Sequence, residues 1–63
     1  MASPEWQELP NERPEDLATY YVVQYRWMTT PTEAEWKQDD WTWIPRATGI
    51  AVPWYVFPWF RAL

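Results

Sequence analysis

Residues Thr30–Lys37 read TPTEAEWK, and this stretch holds the strongest local signal in the chain. A threonine before a proline, with a glutamate three residues after the threonine, is the pattern of a helix start. The hydroxyl and the carboxylate each accept from the other residue's backbone N–H, and proline fills the first helical position, where no N–H is needed. Glu33 and Lys37 stand at i and i+4 in the favourable order, worth about 0.3 kcal/mol. The spacing predicts a short helix near 31–39, with Trp36 as its only large apolar anchor. Asp39 and Asp40 end that helix badly, because acids oppose the negative C-terminal end of the helix dipole.

Downstream, Trp41-Thr42-Trp43-Ile44 alternates as a strand does, with both indoles on one face. Pro45–Gly49 reads as the following loop, and Gly49, the only glycine, is the residue able to take a positive φ. Ile50–Leu63, IAVPWYVFPWFRAL, then holds five aromatic residues, two prolines, one arginine and no acid. Pro53 and Pro58 interrupt opposite edges of any ladder, which limits continuous pairing to Trp54–Phe57. Odd and even positions are both apolar, so the segment is expected to be an extended aromatic arm, sandwiched in a core or lying against another molecule.

Upstream, Ser3-Pro4-Glu5-Trp6-Gln7 has a cap residue, a first-position proline and a first-turn acid, and predicts a helix of one to two turns that places Trp6. Pro10–Pro14 reads as an extended or turning connector. Across Asp16–Thr30 two patterns compete. Leu17, Tyr21, Gln24 or Tyr25, and Met28 fit a helical stripe, whereas Tyr20, Tyr21, Val22, Val23, Tyr25, Trp27 and Thr29 are strand formers. Residue type favours the strand, with positions 21, 23, 25 and 27 on one face and Gln24 and Arg26 on the other. The expected fold class is therefore α+β. It is a small single domain over 1–63, with a short N-terminal helix, a two- to three-stranded antiparallel sheet, a short helix near 31–39 and an aromatic docking arm at 50–63.

Composition narrows the function. The chain has no Cys and no His, so disulfides, thiolate or imidazole metal sites and a histidine-activated nucleophile are excluded. Ser3 is the only serine and Lys37 the only lysine, and the paired acids Glu33/Glu35 and Asp39/Asp40 read as a solvated face rather than an acid and base in a cleft. No calcium-loop pattern and no phosphate-cradling glycine loop is present. The expectation is no enzyme, no cofactor, no metal and no small-molecule substrate. Arg46 and Arg61 alone follow Trp41 in a chain of net charge -4, too few cations for direct nucleic-acid binding. Met1–Pro10 lacks the basic start and apolar run of a secretion signal, and Ile50–Phe60 is too short to span a bilayer as a helix. An intracellular protein, soluble or peripheral to a membrane complex, is expected.

The order Trp6, Tyr20-Tyr21, Trp27, Pro31 resembles the WW domain in outline. No His-Thr follows the tyrosine pair, no glycine turn separates the first strands and the proline falls a position late, so no binding residue is carried across.

Seven tryptophans, each able to bury about 150 to 250 Å², are more than so short a chain easily hides. Trp27, Trp41 and Trp43 are expected in the domain's own core. Trp54, Tyr55, Phe57, Trp59, Phe60 and Arg61 are expected to meet a partner, since Trp, Tyr and Arg dominate interface hot spots. The first reading is a non-catalytic protein-interaction module, an accessory subunit docking on a larger protein or complex through its C-terminal segment; deleting Trp54–Leu63 would then abolish association, whereas substituting Trp6 would not. A second is a peripheral subunit with Ile50–Phe60 at a membrane interface, between Arg46 and Arg61. A third is an acidic inhibitor, of the kind viruses encode, whose acids at Glu5–Asp16 and Glu33–Asp40 occupy a basic site on a host protein.

Overall fold

A computed structural model describes residues 6–63. Six strands, β1 (Gln7–Glu8), β2 (Thr19–Val23), β3 (Thr32–Lys37), β4 (Thr42–Pro45), β5 (Val52–Pro53) and β6 (Trp59–Ala62), form one sheet. Their order is β1-β6-β2-β3-β4-β5, and every neighbouring pair is antiparallel. The only helical element among the described residues is a 3-10 turn at Trp54–Val56.

The architecture overturns the α+β expectation, and β3 is the decisive correction. Thr32–Lys37 is a strand paired on both sides, not a helix. Along it Ala34 and Trp36 are fully buried, while Glu33, Glu35 and Lys37 point to the opposite face. A cap and one ion pair offer a helix about 1 to 2 kcal/mol, and a helix this short is marginal on its own. Burying an indole the size of Trp36 is worth about 3 kcal/mol, and the strand does that while satisfying its backbone on both edges. Asp39 and Asp40 then lie in the turn Gln38–Trp41, a setting that suits short acids. Trp41 takes that turn's left-handed φ of 53°. Such a φ costs a non-glycine residue about 1 kcal/mol. The Trp41 ring offsets it by packing edge-on to Trp36 and Trp54 at centroid distances of 5.9 and 6.4 Å.

The extended C-terminal arm is the second correction. Val52–Pro53 forms an edge strand, the place where proline removes least from a ladder. Residues 54–58 cross the inner face of the sheet, and β6 then inserts between β1 and β2. Pairing falls at Val52–Pro53, Pro53 included, and at Trp59–Ala62, not over the expected Trp54–Phe57, where Trp54–Val56 is a turn. The sheet accordingly has six strands rather than two or three. The helix expected over Ser3–Gln7 lies mostly outside the described residues, and Gln7 itself belongs to β1.

The inner face holds the core: Leu9, Val22, Ala34, Trp36, Trp43 and Phe60, with Tyr20, Trp41, Val52, Trp54 and Phe57 packed around them. Register explains the set, because Tyr20, Ala34 and Pro45 are cross-strand neighbours, as are Val22 and Phe60, and Trp36, Trp43 and Val52. Two straps cover this face. One is residues 9–16, where Leu9 N–H donates to Pro58 O (2.9 Å) and Glu15 N–H to the Tyr20 hydroxyl (2.9 Å). The other is 54–58, where Phe57 O accepts from Trp43 Nε1–H at 3.0 Å. Trp36 Nε1–H donates to Gln38 Oε1 at 2.9 Å. Both fully buried indoles therefore keep their one donor paired, as burial of a polar atom demands.

Gly49 has φ 67°, and a Cβ there would meet nothing within 4 Å. Gly49→Ala is thus a test of backbone strain alone. A loss of about 1 kcal/mol in urea unfolding is expected, with Gly49→Asn milder. A neutral alanine would contradict the left-handed assignment.

Candidate functional site

The outer face of the sheet has no strap. Alternation places Thr19, Tyr21, Val23, Glu33, Glu35, Lys37, Thr42, Ile44, Trp59 and Arg61 on it, and all but Val23 are partly accessible. Across it runs one row of side chains. Arg61 on β6 lies with its guanidinium carbon 4.7 Å from the ring centre of Trp6 and 5.5 Å from that of Tyr21, so β6 sets the cation between two rings. Tyr21 pairs in register with Glu33, whose carboxylate meets Arg46 at 3.3 Å. The row therefore reads aromatic, cation, aromatic, anion, cation. The exposed Glu33–Arg46 pair adds at most about 1 kcal/mol. Each guanidinium–ring contact is worth about 0.5 to 1 kcal/mol, and together they hold Arg61 in one orientation.

A second contact on this face joins Trp59 to the β2–β3 loop. The Arg26 guanidinium lies 5.1 Å from the Trp59 ring centre, and Val23, the register partner of Trp59, is 1% exposed. Beyond it, Tyr25 and Trp27 stack in parallel, with centroids 5.3 Å apart and planes 1° from coplanar. A turn closed by Met28 N–H to Tyr25 O (3.0 Å) holds the pair. Trp27 is nevertheless 77% exposed. The expectation that Trp27, Trp41 and Trp43 share the core is met by Trp43, met in part by Trp41 and not met by Trp27.

The six residues expected at a partner's surface are spread over three environments. Phe60 lies in the core at 1% exposure. Trp54 and Phe57 pack onto the core from the strap, and Tyr55 is exposed on that strap. Only Trp59 and Arg61 reach the outer face, where strand pairing adds Tyr21 and contact adds Trp6 and Arg26. Tyr21 and Trp6 escape a reading of single segments because their neighbours come from another strand. The loop 24–31, which has no acid and three large apolar groups in sequence, was the one local signal available for Tyr25, Trp27 and Met28.

Among the described residues no group of three acidic, His or Cys side chains could hold a metal ion, and no helix is long and apolar enough to cross a membrane. Comparison with known proteins brings no further constraint: no family model matches the sequence, and neither a curated protein nor a solved structure matches it.

Proposed function

We propose that the chain is a non-catalytic protein-interaction module, an accessory subunit that docks on a larger protein or complex. Its docking surface is the partly accessible outer sheet face around Trp59, Arg61 and Tyr21. The observation that supports this reading is the Trp6–Arg61–Tyr21 stack, with the guanidinium held 4.7 and 5.5 Å from two ring centres on a face whose residues, Val23 apart, remain partly accessible. Trp, Tyr and Arg are the residues that supply interface hot spots, and an arginine already fixed between rings loses little freedom when it is bound. The residue inventory supports the same reading, since neither a histidine nor a cysteine is available for nucleophilic or general-base work.

The test is affinity capture from the native source on the immobilised full chain. A protein retained by the wild type should be lost with Arg61→Ser, and with Glu35→Arg, which reverses a charge on the same face without removing packing. Glu35→Arg should unfold within about 1 kcal/mol of the wild type in urea and Arg61→Ser, which gives up two ring contacts, within about 2 kcal/mol, because neither side chain is in the core. An unchanged set of captured proteins with both variants would overturn the assignment of this face.

A further inference from the structure

The two ends of the sheet differ in chemistry. At one end are the β2–β3 loop, residues 24–31, and the β4–β5 loop, residues 46–51; they adjoin because Arg46 N–H donates to Glu33 O at 2.9 Å. Neither loop contains an acid, and each contains one arginine, Arg26 or Arg46. Between them they expose Tyr25, Trp27, Met28 and Ile50, four of the seven large apolar side chains exposed among the described residues. At the opposite end lie the approach to β2 and the β3–β4 turn, which bring Glu15, Asp16, Asp39 and Asp40 together. Asp16 Oδ1 accepts from Gln38 N–H at 3.0 Å across these two loops.

We propose that the acid-free end is a lipid-contacting surface. Trp27, Tyr25, Met28 and Ile50 enter the headgroup layer of an anionic bilayer, and Arg26 and Arg46 sit at the depth of its phosphates. This surface adjoins the outer sheet face and shares Arg26 and Arg46 with it, whereas Tyr25, Trp27, Met28 and Ile50 lie beyond that face on the two loops.

The residue types fit that medium. Tryptophan and tyrosine are the side chains that settle at the membrane–water boundary, where a flat apolar body and a polar edge are both accommodated. A protein partner would need a shaped pocket for the stacked pair, whereas a fluid surface needs only that both loops present apolar groups together. Charge placement agrees. β2 alone, at about 3.3 Å per residue, separates the four distant acids from Arg26 by roughly 16 Å, well over the Debye length of about 8 Å at physiological salt. The acids nearer this end are Glu33, already paired with Arg46, Glu35 in the middle of β3, and Glu8 and Glu12 at the β1 edge. Glu8 is the register partner of Trp59, on which Arg26 lies, so it stands about one strand spacing, roughly 5 Å, from Trp59 and is the acid that opposes contact at this edge. The loops that would enter the headgroup layer thus carry Arg26 and Arg46 and no acid, while Glu15, Asp16, Asp39 and Asp40 lie at the far end.

Flotation of the full chain with vesicles tests the proposal. Vesicles of phosphatidylcholine with phosphatidylserine as the minority lipid should carry the wild type upward. Trp27→Ser and Ile50→Ser should each weaken partitioning by about tenfold. Both replace exposed side chains, so melting temperatures should hold. Arg26→Gln should lose about fivefold on these vesicles and almost nothing on phosphatidylcholine alone. Leu17→Ser, an equally apolar change at the acidic end, should have no effect. A wild type that ignores both vesicles overturns the proposal, and so does a Leu17→Ser loss as large as that of Trp27→Ser. Full partitioning of Trp27→Ser would overturn it too. Should Trp27→Ser abolish capture of a protein while vesicles bind neither form, this end belongs to a protein partner instead.

Discussion

Trp43→Ala is expected to leave the chain unfolded at 25 °C. Trp43 is fully buried, its ring centre 4.8 Å from that of Trp36 and 6.0 Å from those of Tyr20 and Phe60. Truncation removes the indole from the middle of this cluster and leaves the Phe57 carbonyl without its donor. Large-to-alanine changes of this kind cost about 3 to 5 kcal/mol, and an unpaired buried carbonyl adds about 1 kcal/mol or more. A core of this size supplies only about 3 to 5 kcal/mol in total. No other cluster of comparable size exists among the described residues to take over. Far-ultraviolet circular dichroism and urea titration would show loss of the cooperative transition. Trp43→Phe keeps most of the ring and forfeits the hydrogen bond, so it should fold with stability lower by about 2 kcal/mol. A Trp43→Ala protein that melts cooperatively near the wild-type temperature would contradict the core described here.

Deleting Trp54–Leu63 is expected to be equally destructive, for a different reason. The deletion removes β6, which is paired on one side with β1 and on the other with β2. It also takes away Phe60 and the 54–58 strap, and with them one whole cover of the inner face. β1 would have no neighbour, and Tyr20, Val22 and Trp43 would meet water. Loss of association after such a deletion would therefore report unfolding and say nothing about docking. Nuclear magnetic resonance spectra of the truncated chain should show collapsed amide dispersion, where a dispensable arm would leave the spectrum of residues 19–45 unchanged. Point changes on the outer face, Arg61→Ser and Glu35→Arg, avoid this confusion.

The sequence shows some of this plainly and conceals the rest for definable reasons. The strand at Trp43 and the turn containing Gly49 can be read locally, because alternation and φ preference are properties of adjacent residues; of the strand suggested within Asp16–Thr30 only Thr19–Val23 forms, and Tyr25 and Trp27 lie in the following loop. Thr32–Lys37 misleads because its residues satisfy two rules at once. Thr30-Pro31-Thr32-Glu33 is a sound helix start, yet Ala34 and Trp36 are also spaced for one strand face, and only the cross-strand positions of Tyr20 and Trp43 decide between them. The acids at Asp39 and Asp40 were the local warning, being wrong for a helix end and right for a turn. The C-terminal prolines limit pairing near them, but they cannot reveal that Trp59–Ala62 enters the sheet beside β1 and β2. The outer-face row is hidden for the same cause: Trp6, Arg61, Tyr21, Glu33 and Arg46 are far apart in the chain and become neighbours only through register.

The position of β6 also governs when this protein can fold. During synthesis the chain appears from the N-terminus, and β2, β3 and β4 can pair as successive hairpins as soon as they emerge. β1 cannot join them, because its neighbour is β6 and Gln7 must wait for Phe60. Until then Val22 and Trp43 lack a cover and β2 has an open edge, the condition under which nascent chains pair with one another. Completion of the sheet is a late closure between distant segments, which places the chain among the slower folders of its size. A cell making it in quantity would gain from whatever shields the β2 edge during that interval.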